Sequence, residues 1–152
     1  MMPDDGQCEC VTDPAPWLAF GIDLRLTTTA ERGRTKPLLA PSETFQYRPN
    51  WGLPKMKDRE QVGAPVLCFG RMPLQPGEQT RAVISPFAPV SLPLWDVVNV
   101  GNELKMYEGA HVCGHATVVW IARTLRPIPT DDHDVFAGWC GGGPAPATPP
   151  VR

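Results

Sequence analysis

His111, Cys113 and His115 form the densest run of metal-ligating or nucleophilic side chains in the sequence. On a β-strand the i, i+2, i+4 spacing puts all three on one face, with about 6 to 7 Å between successive members. A thiol beside an imidazole is the pairing that can generate a reactive thiolate. The same row could offer ligands to zinc, with Cys68, Cys140 or His133 supplying a fourth. Each chemistry lacks a part. No candidate orients a histidine base beside Cys113, and three side chains along one flat strand reach a single ion only with strain. The five cysteines (Cys8, Cys10, Cys68, Cys113 and Cys140) never adopt C-x-x-C spacing, and neither G-x-S-x-G nor H-E-x-x-H occurs. The sequence thus predicts reduced thiols, no enzyme activity and no cofactor or bound metal, His111, Cys113 and His115 being the metal candidates left over.

Charge offers a second kind of chemistry. From Arg25 to Arg59 eight basic residues (Arg25, Arg32, Arg34, Lys36, Arg48, Lys55, Lys57, Arg59) face three acids (Glu31, Glu43, Asp58). Phosphate contact needs Arg or Lys on one surface and no base-reading geometry. The chain as a whole nevertheless carries a formal charge of -2, which argues against a protein that coats nucleic acid by bulk charge. Seven of the 16 acids lie near the ends, at Asp4, Asp5, Glu9 and Asp13 and at Asp131, Asp132 and Asp134.

These residues must be held by strands. With 19 Pro and 14 Gly in 152 residues, an all-helical fold is excluded. Phe20, Ile22, Leu24 and Leu26 alternate with Gly21, Asp23, Arg25 and Thr27, the period of a half-buried strand. Further strands are expected at 45–51, 61–69, 80–85, 94–100 and 105–107, and at 112–125, where an apolar run on both faces must be covered on two sides. Turn chemistry separates them at Glu31–Arg34, Gln75–Glu78, Asn99–Asn102 and Glu108–Ala110. Residues 1–16 hold three Pro and four acids, and residues 127–152 hold six Pro and four Gly, so both are expected to be flexible segments around a domain at 17–126. Trp139 is the exception, an aromatic that could dock on the domain or on a partner. No stretch approaches 18 consecutive apolar residues and MMPDDGQCEC lacks the pattern of a signal peptide, so a cytoplasmic protein without a membrane span is expected.

Four landmarks in order give this pattern a family likeness. Glu31-Arg32-Gly33-Arg34-Thr35-Lys36-Pro37 is similar to an E-G-G-R-x-x-P turn, and Tyr47-Arg48-Pro49-Asn50-Trp51 to a Y-R-P-Q-F strand start. Pro76-Gly77-Glu78 is similar to a P-G-D turn, and Tyr107 to Gly114 to a closing R-E-G-G-R-T-V-G hairpin. Over about 105 residues the chain resembles the C-terminal β-barrel domain of elongation factor Tu and its archaeal and eukaryotic equivalents. The stretch between Pro37 and Tyr47 is longer than the family's, and Ala110 and His111 stand where its closing motif has Gly and Arg.

The resemblance implies an all-β fold, a closed six-stranded antiparallel Greek-key barrel. The phosphate-cradling G-x-x-x-x-G-K-[ST] loop is absent, so no GTP binding is expected. In the family this barrel touches the backbone of aminoacyl-tRNA and packs on the GTPase domain and an exchange factor. Carried over by position, Arg34, Lys36, Arg48, Asn50 and His111 are the candidate RNA- or partner-binding residues. A solitary barrel must also bury the surface that its family packs against neighbouring domains, through self-association, its own tails or another protein. Exposure of Trp51, Trp95 or Trp120 would mark such a surface. The acidic net charge favours a non-catalytic binding module for a protein partner, with weak tRNA or other RNA binding as the alternative and a small metal-binding or thiol-reactive protein as the second.

Overall fold

Alternation in the sequence becomes one antiparallel sheet in the computed structural model, which describes residues 17–31, 35–39, 46–86 and 92–146. Its two long strands, β1 (Trp17–Leu26) and β7 (His111–Thr124), pair along their length from Trp17 with Thr124 to Leu26 with Gly114. The sheet continues beyond β1 through β5 (Gln79–Ile84) to β4 (Val66–Phe69). Beyond β7 it continues through β6 (Glu103–Glu108) and β2 (Asn50–Gly52) to β3 (Val62–Gly63). The order is β3-β2-β6-β7-β1-β5-β4.

The antiparallel, mostly β architecture agrees with the reading of the sequence. Two particulars differ among the described residues: the ladder has seven strands rather than six, and it is open, ending at β3 and β4. The segment expected as strand 94–100 is instead a short helix, α1 (Leu92–Trp95), followed by a turn. Pro93 lacks an N–H to give to a ladder, and Trp95 is drawn inward, its ring centroid 5.1 Å from that of Phe20.

Residues of one parity on β1 (Phe20, Ile22, Leu24 and Leu26) are fully buried in the main core with Trp51, Trp95, Leu104, Met106, Val118 and Ile121. Several turns are closed by a side chain three residues on. Glu31, Glu60 and Glu78 accept the backbone N–H of Thr28, Lys57 and Gln75 through a carboxylate, and Asn102 accepts that of Asn99 through its amide oxygen, at 2.7–2.8 Å. Gly109 takes positive φ at the β6–β7 hairpin turn, and Gly77 and Gly101 do so in the turns that lead into β5 and β6, where a Cβ would be strained.

The C-terminal segment is the largest correction. Residues 127–152, expected to be flexible, contain α2 (Thr130–Cys140), which buries Phe136, Trp139 and Cys140 against the outer face of the sheet. These three recur at i, i+3 and i+4, one stripe of a helix. They cover Ala19, Val83, Trp120 and Ala122, so the second apolar face of β7 has its cover within the chain. Trp51, Trp95 and Trp120 are accordingly all buried. The N-terminal segment 1–16 lies outside the described residues.

Candidate partner-binding groove

The row predicted on β7 is broken by a bulge. Met106 pairs with Gly114 but Tyr107 with Val112, which leaves Cys113 as the extra residue. Cys113 turns into the core, 3.8 Å from the Tyr47 hydroxyl, while His111 is exposed and His115 pairs with Arg25 and Lys105 across its neighbours. The three therefore do not share a face. Among the described residues no group of three or more His, Cys, Asp or Glu is gathered to hold a metal ion.

The basic candidates are spread more widely. In Tyr47-Arg48-Pro49-Asn50-Trp51 the odd positions are buried and Arg48 and Asn50 are exposed. Asn50 lies across from Gly63 and Tyr107. His111 faces Glu108 at the closing hairpin, and Glu108 Oε2 accepts the Tyr47 hydroxyl at 2.6 Å. The hairpin thus ties Tyr47, the neighbour of Arg48, to the strand partner of His111. Burial, with Glu108 and Cys113 alongside, pushes the Tyr47 phenol well above its ordinary range. Lys36 is exposed two residues ahead of the Leu38–Leu74 bridge. Arg34 lies outside the described residues.

A different surface carries a concavity. The chain between β2 and β3 folds as two consecutive turns, in which the N–H of Met56 donates to Leu53 O and that of Glu60 to Lys57 O. Lys55 and Arg59 both take left-handed conformations, at φ 72° and 73°, which non-glycine residues adopt only at a cost. The loop is pinned to the sheet: the Arg59 N–H donates to the Tyr107 hydroxyl, and Trp51 Nε1 to Ala64 O beneath it. The Tyr107 ring approaches Gly52 closely, 3.0 Å from where a Cβ would stand.

Against this loop stands α1, and between them is a groove of about 570 Å³ lined by Leu53, Pro54, Lys55, Met56, Glu60, Gln61, Pro93, Leu94 and Val97. No protein-family model matches the chain, and no curated protein matches it. The site must therefore be read from its own chemistry. Its floor is aliphatic, and Leu94 and Val97 are half exposed, with Val100 exposed just beyond. A second concavity of about 350 Å³ adjoins it around Lys57, Asp58, Glu103 and Lys105. Among the described residues the two linings hold no cysteine, histidine or serine, and their acids are Asp58, Glu60 and Glu103. Apolar floor and charged rim are the ingredients of a docking surface.

Sequence reasoning missed this groove because its walls are far apart in the chain. The visible signals were the Leu94, Val97, Val100 spacing, helical in period, and Lys55-Met56-Lys57, where an apolar side chain sits between two cations.

Proposed function

We propose that this chain is a non-catalytic, cytoplasmic binding module that takes a protein partner in the groove between the 53–61 loop and α1. The observation that carries this reading is the half-exposed Leu94 and Val97 lining a preformed apolar groove rimmed by Lys55. A complementary partner would insert one or two aliphatic or aromatic side chains and place carboxylates near Lys55 and Lys57.

The likeness to the C-terminal domain of elongation factor Tu supports a module of this kind, and we infer that the open ladder curls into that family's barrel. Residues 62–69 would then run as one bent strand bridging both edges. Supporting this, Ala64 N donates to Pro49 O and Val66 N to Tyr47 O on one side, while Ser85 N donates to Pro65 O on the other.

A photo-crosslinking residue at Val97 tests the binding site, with the same residue at Val119, an exposed apolar position on β7, as control. The expected result is a discrete protein adduct from position 97 that Leu94→Glu abolishes. Equal adducts from both positions, or none from position 97, would refute the groove. The alternative, RNA binding, is favoured by the exposed Arg48 and Asn50 in the Tyr47–Trp51 motif.

A further inference from the structure

Outside the groove, two cysteines far apart in the chain meet where α2 ends on the sheet. Cys68 on β4 and Cys140, the last residue of α2, have their Sγ atoms 3.3 Å apart, with no bond between them. The approach is built into the surroundings. Gly70 has no side chain, and a Cβ there would collide with the Cys140 carbonyl oxygen. Arg81 on β5 donates through NH1 to Trp139 O at 2.8 Å and Gly143 O at 3.3 Å, and its guanidinium stands 4.8 Å from the Trp139 ring centroid. Helix, strand and cation thus hold the thiols in contact. The sulfurs must approach by only about 1.3 Å to reach the about 2.0 Å of a disulfide.

We propose that Cys68 and Cys140 are a redox-active pair that closes to a disulfide by exchange with a small-molecule disulfide, fastening α2 to β4. Cys68 is the entry point, being partly exposed while Cys140 is buried. The Cys140 S–H and the backbone at Val83 stabilise the Cys68 thiolate and lower its pKa, whereas donation to Cys68 and burial raise that of Cys140. In the first step the Cys68 thiolate attacks one sulfur of the small disulfide. A mixed disulfide forms and one small thiolate leaves. In the second, Cys140 gives up its proton and its sulfur attacks Cys68 Sγ, which forms the Cys68–Cys140 bond and expels the second small thiolate. Two protein thiols lose two electrons and two protons in total, and one small disulfide becomes two thiols.

The protein's own consequence is a covalent clasp on the helix that covers Trp120. The 152-residue chain carrying Cys8→Ser and Cys10→Ser keeps the pair and the buried Cys113 as its three thiols. It is equilibrated with glutathione disulfide, quenched with N-ethylmaleimide and weighed intact. The expected product has two fewer alkylatable thiols, no retained glutathione, and a non-reducing peptide that joins Cys68 to Cys140. Amide exchange along α2 should slow by about ten-fold or more, because the helix can no longer lift away alone. Adding Cys140→Ser should arrest the reaction at a glutathione adduct on Cys68, and adding Cys68→Ser should slow the first step by about ten-fold. Thiols that stay fully alkylatable, a stable adduct with both cysteines present, a bridge to Cys113, or unchanged exchange in α2 would each overturn the proposal.

Discussion

The indole of Trp120 occupies the space that a side chain on Gly21 would need. The two residues face each other across β1 and β7, and a Cβ on Gly21 would fall within the Trp120 ring. Phe136 then stacks on the indole at 5.5 Å between centroids and Trp139 meets it edge-on at 5.3 Å. Gly21 is therefore the base of the aromatic stack that seats α2.

Gly21→Ala should displace Trp120 and destabilise the fold by about 1 to 3 kcal/mol, the usual cost of overpacking. Denaturant unfolding followed by tryptophan fluorescence measures it. A change below about 0.5 kcal/mol would mean that the ring has room to move.

Trp139→Ala should cost about 3 kcal/mol or more, because it deletes a buried ring from the cluster under α2 and removes the cation–π partner of Arg81. Calorimetry should record a clear fall in Tm. An unchanged Tm would place the energetic boundary of the domain before α2, as composition alone suggested.

Acid stability has a local marker in Glu31. Its carboxylate accepts the N–H and hydroxyl of Thr28 and lies 3.2 Å from Arg25 NH1. The Thr28 backbone N–H first, then Arg25, hold its pKa at about 2 against an ordinary 4.5. A carboxyl depressed by folding stabilises the native state above the unfolded value and loses that contribution as pH falls. The loss should run from pH 4.5 through about 2, and Glu31→Gln should flatten the stability profile in that window. A profile unaltered by Glu31→Gln would show that the turn persists without the charge.

Replacing Arg34 and Arg48 together by Ala separates RNA from protein binding. If the protein retains tRNA at low salt through these side chains, the double variant should reduce the slope of log affinity against log salt by roughly 1.4 to 1.8. Arg48 is exposed, and an exposed charge contributes under about 1 kcal/mol to folding. Absence of salt-dependent retention in the unaltered protein would leave the groove as the better account.

Strand β1 was legible because Phe20, Ile22, Leu24 and Leu26 alternate without interruption and all reach one core. Helix α2 was not, because the Pro and Gly on either side dominated a composition reading. Its own signals were a first turn rich in acids (Asp131, Asp132) and the Phe136, Trp139, Cys140 stripe, ending at Gly141. The inward turn of Cys113 had no local signature, since a bulge is defined by the register of its partner, here at Met106 and Tyr107. Groove and thiol pair were hidden for a related reason: each is a meeting of segments that only the tertiary fold brings together.

The two ends of the ladder bear on how this chain behaves when crowded with copies of itself. An edge strand with free N–H and C=O groups is a template on which another molecule can add a strand, the first step toward fibrils. Here β3 has two residues and β4 four, with Ala64 and Pro65 between them. Pro65 has no N–H to offer, and the N–H groups of Ala64 and Val66 are already given to Pro49 and Tyr47. Among the described residues, the 64–66 link between the two edges thus has no N–H left for a would-be cross-β neighbour, although Leu94 and Val97 stay exposed elsewhere on the surface.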